Sequence, residues 1–171
     1  MNLITKRVHM NRCNGREVKQ LTLDRDFNVP DARPDALQIM KEQGEVQIEE
    51  VHMMEGKASV KGLLHFQILY ASDGDIPVSE MTGTIPFEET ISLPQAKAED
   101  EISVQAEIGD LKSELINSRK LGMKAIVVLN VTAGSVCDGE GAIDIEGGED
   151  IYTKKRTAEV SYLVFSKKDT M

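Results

Sequence analysis

The sequence predicts a mainly β protein, an antiparallel β-sandwich or barrel-like fold with one short helix near residues 34–43. Apolar and polar residues alternate in several runs, which is the pattern of strands with one buried face. Residues that favour turns separate these runs about every 8–15 positions, a spacing typical of all-β sandwiches and barrels. With 171 residues, 40% of them hydrophobic, the chain is long enough for one domain with a substantial core.

The β-rich domain is expected to span residues 16–166, and residues 1–15 are expected to form a flexible N-terminus. The N-terminal residues carry charge but no apolar run, so they do not resemble a signal peptide. Residues 16–29 alternate in part and predict the first strand.

A rigid turn and the predicted helix follow in the stretch NVPDARPDALQIMKEQGEV, residues 28–46. Pro30 and Pro34 stiffen the chain, and Pro34 suits the first helical position because its missing N–H is not needed there. Asp35 complements the positive end of the helix dipole, and Gly44 favours a stop just past the helix end.

On this helix, Leu37 and Met40 are expected to cover an open end of the sheets as a hydrophobic plug. A Leu37→Ala variant is then expected to lose on the order of 2–5 kcal/mol of folding free energy, the usual cost of truncating a buried leucine. The stretch carries no nucleophile, metal-ligand set or phosphate-binding loop, so its predicted role is architectural.

A β-hairpin is predicted over residues 46–71, with Glu55-Gly56 as its two-residue turn. The second arm alternates regularly, whereas the first arm changes phase partway along. We therefore predict a β-bulge at Glu49-Glu50, which would place Ile48 opposite Gly62 on the apolar face.

The second half of the chain continues the β pattern. Residues 77–93 form either a strand pair or one long strand broken at Pro86, which favours a sheet edge or a β-bulge. The next predicted elements are a polar loop (94–100), strand segments (101–108 and 112–117) and a turn (118–120). Residues 121–131 are apolar on both faces, which is typical of a central strand.

Residues 137–150 are rich in glycine and acidic residues, and an acidic Gly-rich mobile loop is expected there. The spacing of the acids does not match an EF-hand, so no metal site is assigned, and whether the loop orders a cation stays open. Residues 151–166 predict a last strand. Because no stop signal follows, the chain is expected to be the first module of a longer protein.

Composition excludes several classes of function. The formal net charge of −9 argues against a nucleic-acid partner, since phosphates require a basic surface. No apolar run is long enough to span a membrane. Cys13 and Cys137 are too few for a zinc knuckle or a disulfide framework and indicate two free thiols in a reducing compartment, although a bridge between them is an alternative.

No constellation of residues predicts an enzyme or a cofactor site. His52 and His65 would lie about 20 Å apart along the hairpin, too far to share a metal. Neither a nucleophile elbow nor a phosphate-binding loop occurs in the sequence.

Arg119 is singled out by its position between apolar residues and the predicted central strand. One interpretation is structural: its guanidinium satisfies carbonyl groups or a carboxylate in a turn. The other is functional, because arginine is enriched among interface residues that dominate binding energy.

The order of motifs resembles the SPOCS domain of SipL-like and SpoVID-like spore coat morphogenetic proteins of Firmicutes. The matching stretches are VPDARPDALQIM, GKASVKGLLHFQILY, IPFEETISLP and ELINSRKLGMKAIVVLNV, between Leu21 and Val131, with weaker similarity to the end of the chain. The residues that carry the resemblance, and that are structural or interface candidates, are Pro30, Pro34, Asp35, Gly62, Tyr70, Pro86, Phe87, Leu115 and Arg119.

The resemblance implies a non-catalytic protein-interaction or structural module of a sporulation coat-assembly (encasement) protein. It implies protein partners, either spore coat or basement-layer proteins or further copies of the module, and a cytoplasmic location in the mother cell at the forespore surface. Proteins of this family carry a C-terminal LysM module, and we find no such segment in this chain. The alternative from another class is a β-sandwich that binds carbohydrate or cell-wall fragments, which the absence of Trp disfavours.

Overall fold

A computed structural model describes residues 2–73, 75–147, 154 and 156. These residues form two antiparallel three-stranded sheets, ordered β1-β6-β5 and β2-β3-β4, and contain no helix. The six strands are β1 (Asn2–Asn28), β2 (Asp35–Met54), β3 (Lys57–Asp73), β4 (Val78–Ser92), β5 (Glu101–Asn117) and β6 (Lys120–Glu146). The prediction of a mainly β, antiparallel fold is confirmed.

The core is built from the inward faces of both sheets. In β3, every second residue from Ala58 to Ser72 is buried, as the alternation in the sequence predicts. Val60 packs in one cluster with Val127 of β6, and Tyr70 packs in a second cluster with Met123. Because β3 and β6 are the middle strands of their sheets, the two clusters join the sheets along their length.

The predicted helix at residues 34–43 is wrong, because these residues begin the long strand β2. Leu37 and Met40 are 58% and 60% exposed, so they do not plug an open end of the sheets. A helix of about ten residues is marginal without a buried face. Pairing with β3 satisfies the backbone instead, and two register shifts, after Ala36 and after Ile39, remove the regular alternation that would have indicated a strand.

The hairpin prediction is confirmed in its register. Gly56 has a positive φ of 72°, as a turn of this kind requires. The β2–β3 ladder shifts between Ile48 and Glu50, and Ile48 pairs with Gly62. The bulge at Glu49-Glu50 therefore restores the apolar phase of the first arm.

The edge position of Pro86 is confirmed, since β4 is the outer strand of its sheet. However, β4 runs unbroken through Pro86. The segments 101–108 and 112–117 likewise join into one strand, β5, with a register shift after Ile108. β6 is the central strand of its sheet, as its two-sided apolar sequence predicts.

The two ends of the first sheet extend further than the sequence indicates. Residues 2–15, set apart as a flexible N-terminus, lie in β1, and residues 137–146, expected in an acidic loop, lie in β6 and pair with them. Backbone pairing between two weakly apolar segments gives little sign in either sequence alone. The rest of the expected loop and the predicted strand at 151–166 lie outside the described residues, apart from residues 154 and 156.

β5 covers β6 only as far as Gly134, which pairs with Glu101. Beyond that point, residues 2–13 of β1 and 135–146 of β6 form a two-stranded extension, which we call the ribbon. Within the described residues, no third strand is paired to it.

Candidate functional site

The residues predicted to matter converge at the end of the molecule where β1 leads into β2. We call residues 29–36, which connect β1 to β2 and include the first two residues of β2, the elbow. The guanidinium of Arg119, from the turn between β5 and β6, reaches into it. Its Nη1 donates to the carbonyl oxygen of Arg33 at 2.8 Å, and its Nη2 donates to that of Val29 at 3.1 Å.

Two carboxylates complete the surroundings of Arg119. The guanidinium lies 3.1 Å from Oδ1 of Asp35 and 3.3 Å from Oδ1 of Asp31. Because arginine presents several N–H donors in a fixed plane, one side chain satisfies two carbonyls and two carboxylates at once. These contacts with carbonyl groups and carboxylates are of the kind that the structural interpretation of Arg119 describes.

Backbone hydrogen bonds tie the elbow to the same turn. The N–H of Val29 donates to the carbonyl of Arg119 and the N–H of Ala36 to that of Ser118, each at 2.8 Å. The hydroxyl of Ser118 also donates to Asp35 at 2.8 Å. The turn thus bridges the two sides of the elbow, one just past the end of the β1–β6 ladder and the other at the start of the β2–β3 ladder.

Tyr70 supports the elbow from below. Its side chain is fully buried and packs with Val29 and Ala36, and its hydroxyl donates to the carbonyl of Pro34 at 3.4 Å. Leu115 packs against the same cluster. The structure thus brings Pro34, Asp35, Tyr70, Leu115 and Arg119 together, although their positions in the sequence are widely separated.

The other signature residues lie elsewhere, at the pairing of β3 with β4. Gly62 faces Phe87, and a Cβ atom built on Gly62 would lie 2.6 Å from Cζ of the Phe87 ring. Phe66 covers Gly83 in the same way. An aromatic ring over a cross-strand glycine protects a weak position in a sheet. Gly62 and Phe87 therefore serve packing, and Pro86 marks the sheet edge.

The histidines do not form a metal site. Nε2 of His52 lies 2.6 Å from Glu50, and Nε2 of His65 lies 3.3 Å from Gln47. Across the described residues, no group of three or more His, Cys, Asp or Glu side chains is placed to hold a metal ion.

A polar network that the sequence did not indicate lies at the base of the ribbon. Asn14 is left without a ladder partner between Cys13 and Gly15, and its Nδ2 donates to both carboxylate oxygens of Asp100 at 2.9 Å. The same Nδ2 donates to the hydroxyl of Ser135 at 3.0 Å. We call this network the ribbon base. It fixes the point where the sheet narrows from three strands to two.

The network shifts the pKa of its one carboxyl group, that of Asp100. The backbone N–H of Lys97, and then the Asn14 amide, hold the pKa of the Asp100 carboxyl below its usual range. Asp100 is also buried, with only 6% of its surface exposed. No local pattern predicts this contact, because Asn14-Gly15 reads as a turn and the polar sequence around Asp100 as an exposed loop.

Comparison with protein-family models finds a match for part of the chain. Residues 35–116, just under half of the chain, match the family model described as SipL, SPOCS domain. Searches of curated proteins and of solved structures find no match. In the part of the chain that the structure describes, no helix could cross a membrane.

The matched segment contains β2, β3, β4 and nearly all of β5, and the remaining contacts of the elbow flank it. Asp35 and Tyr70 lie inside the match, whereas Arg119 follows its end. The match over residues 35–116 is to the SPOCS domain, the family that the sequence motifs predict.

Proposed function

We propose that this chain is a non-catalytic protein-interaction module of a sporulation coat-assembly protein. It acts in the mother-cell cytoplasm at the forespore surface, where it binds coat or basement-layer proteins. The observation that carries this proposal is the SPOCS domain match over residues 35–116.

Exposed apolar side chains at the elbow end support a protein partner. Leu37, Met40, Ile76, Val78 and Ile116 are 43–60% exposed. Val78 pairs with Ala71 of β3, and the other four lie beside residues whose pairing or hydrogen bonds place them near the elbow. Large apolar residues gathered on one end of a domain are typical of interaction surfaces. The guanidinium of Arg119 shapes this end by holding the elbow, so its structural role and an interface role are compatible.

The outer edge of β4 is a weaker candidate for strand addition. Pro86 has no N–H to donate there. In addition, Lys19 of β1 forms an ion pair of 3.1 Å with Glu89 of β4. Proline and charged side chains are ordinary protections of an exposed edge.

The experiment is a binding assay of the purified chain against purified coat and basement-layer proteins. We expect the double variant Leu37→Asp with Val78→Asp to lose binding and to keep its fold, since both side chains are exposed. Val18→Asp is the matched control, because Val18 is 54% exposed but lies on β1, away from the elbow. Failure of the parent chain to bind any of these proteins would contradict the proposal.

A second candidate, carbohydrate binding, is favoured by one feature of the β2-β3-β4 sheet. An open cavity of about 470 Å³ on this sheet is lined by several polar side chains, including those of Gln43, Glu45, His65, Gln67 and Thr84. Such groups can hydrogen-bond sugar hydroxyls. The only aromatic residue in the lining, Phe66, is 3% exposed, so a stacking platform is missing. Titration with muropeptides tests this candidate, and saturable binding that Gln67→Ala weakens would place it first.

A further inference from the structure

The outer face of the β2-β3-β4 sheet becomes apolar at its elbow end. Every second residue of β3 from Ala58 to Ser72 is buried against the other sheet, so the residues between them point outwards. Ala71 is one of these, and it pairs with Gln38 of β2 on one side and with Val78 of β4 on the other. Val78 therefore lies on the outer face, where its side chain is 43% exposed.

β2 adds two large apolar side chains beside this row. Leu37 follows Ala36, Met40 follows Ile39, and the β2–β3 register shifts at both points. Ala36 and Ile39 pack in the core, so the side chains of Leu37 and Met40 point away from it. These two side chains are 58% and 60% exposed. We call the outward group made by both strands and β3 the apolar patch; it consists of Leu37, Met40, Ala71 and Val78.

The surroundings of the apolar patch carry an excess of negative charge. Asp73 pairs directly with Asp35 in the ladder, and like charges in this position repel each other. Arg119 lies against Asp35, whereas among the described residues no ion pair reaches Asp73 or Asp75. Both of these carboxylates are exposed. We call Asp73 and Asp75 the acidic rim.

The neighbouring outward row does not cancel this charge. Leu69 pairs with Lys41 on one side and with Glu80 on the other, so that row holds one basic and one acidic residue. The acids are not arranged for a metal ion either, since the described chain contains no suitable group of three or more ligating side chains. The charge of the acidic rim is therefore open to a cationic group of a partner.

We propose that the apolar patch and the acidic rim together bind a segment of another protein in which apolar residues stand next to lysine or arginine. Apolar side chains of that segment cover Leu37, Met40 and Val78. Its cation lies against Asp73, where it offsets the repulsion from Asp35. The proposal rests on the proposed function, because it names the chemistry of the partner that the elbow end binds.

The acidic rim also decides between two classes of partner. Exposed apolar side chains can contact either a protein or a lipid surface. Cytoplasmic membrane surfaces are anionic and attract basic segments. Asp73 and Asp75 would be repelled by such a surface, so the charge favours a basic protein segment.

The first test is selection from a random peptide library with the purified parent chain as the target. We expect the enriched peptides to contain apolar residues next to lysine or arginine. One enriched peptide is then synthesised, and its dissociation constant is measured at low and high salt. Binding should weaken in high salt, because salt screens exposed charges. The absence of enrichment, or enrichment of acidic peptides, would overturn the proposal.

A charge reversal tests the acidic rim. Asp73→Lys with Asp75→Lys should weaken binding of the selected peptide about tenfold, since two exposed attractive contacts become repulsive. Glu49→Lys with Glu55→Lys is the matched control, because it changes the net charge equally at the opposite end of the same sheet. Equal weakening in both variants would mean that only the overall charge matters, which would contradict a local rim.

A neutral substitution tests the apolar patch. Leu37→Ser with Val78→Ser should abolish binding of the same peptide, whereas Val18→Ser, an equally exposed position on β1, should leave it unchanged. Thermal unfolding confirms that each variant is folded. Hydrogen exchange of the parent chain with and without peptide provides a readout that needs no variant. Protection should appear in residues 69–78, and protection elsewhere alone would overturn the proposal.

The assay with coat and basement-layer proteins separates this proposal from the proposed function. If the parent chain binds one of them and Asp73→Lys with Asp75→Lys leaves that binding unchanged, the proposed function stands and the basic partner segment is wrong. If the parent chain binds none of them but selects basic apolar peptides through the apolar patch, the coat role is wrong and the chemistry of the surface stands.

Discussion

The elbow and the ribbon lie at opposite ends of the β1–β6 pair and are held in different ways. At the elbow, the ladders end but Arg119 and Ser118 satisfy the irregular backbone, and buried Tyr70 lies beneath it. At the ribbon, the ladder continues, but no third strand is paired to it among the described residues. Regular hydrogen bonding alone is therefore a poor guide to local stability, because burial and additional side-chain partners decide it.

The largest effect should come from removing the support of the elbow. Tyr70→Ala leaves a cavity under Val29 and Ala36 and is expected to lower the free energy of unfolding by about 3–5 kcal/mol, as for other large buried aromatic residues. Val8→Ala, on the ribbon, is the matched change and should cost much less. Chemical denaturation measures both. Equal losses in the two variants would show that the ribbon is as well packed as the elbow.

Removing the guanidinium should have the next largest effect. Arg119→Ala leaves the carbonyls of Val29 and Arg33 without this donor and should cost about 1.5–3 kcal/mol, the range for hydrogen bonds to charged groups. Arg119→Lys should recover only part of the loss, because an ammonium cannot reproduce the planar set of donors.

The matched control for Arg119 is Arg16→Ala, since Arg16 is exposed on β1 and should change stability by no more than about 0.5 kcal/mol. Thermal or chemical unfolding compares the three variants. A loss in Arg119→Ala no larger than in Arg16→Ala would mean that the elbow does not depend on the guanidinium.

The contribution of the ribbon base to the free energy of unfolding should depend on pH. The folded pKa of Asp100 lies below its unfolded value of about 3.8, so its stabilisation is fully present above that value and is lost as the pH falls through the folded pKa. Asp100→Asn should therefore flatten the acid limb of the stability curve. Unfolding measured from neutral pH to about pH 2 tests this expectation.

Asp110 provides a comparison for that experiment. The Lys112 ammonium, 2.9 Å away, lowers the pKa of Asp110, so this carboxylate adds to the same acid limb. Asp110→Asn should flatten the limb as well, but it should leave exchange of the ribbon amides unchanged. Asp100→Asn should speed that exchange, because it weakens the bond that Asn14 makes at the base. Identical exchange in the two variants would argue against a special role for the ribbon base.

The smallest effect is expected at Leu37. Because the side chain is 58% exposed, Leu37→Ala should change the free energy of unfolding by no more than about 0.5 kcal/mol. The matched buried position is Leu64, where the same substitution should cost about 2–5 kcal/mol. Denaturation curves of the two variants decide between a strand at residues 35–54 with Leu37 exposed and a helix with Leu37 on its buried face.

These differences explain what the sequence could and could not predict. The register of the β2–β3 hairpin followed from alternation, because one face of each arm is buried and a bulge at Glu49-Glu50 reconciles the phases. The start of β2 does not look like a strand in the sequence, because two register shifts disrupt the alternation around Ile39. Local helix signals at Pro34 and Asp35 then had no competing pattern, and pairing with β3 overrode them.

The sequence predicts only those residues of the site that belong to the motifs of the SPOCS domain. The sequence motifs single out Arg119, Tyr70 and Asp35 but do not show which of them touch, since the contacts join strands far apart in the chain. The ribbon base was missed for the same reason: a single Asn and a single Asp carry no signal until the fold brings them together.

Amide hydrogen exchange of the dilute chain tests the central comparison most directly. We predict that the amides of Val29 and Ala36, bonded to the 118–119 turn, exchange only through global unfolding. The amides of residues 3–10 in the ribbon should exchange through local opening, at a much smaller free energy. Ribbon amides as slow as those of the elbow, in a sample shown to be monomeric, would contradict this account.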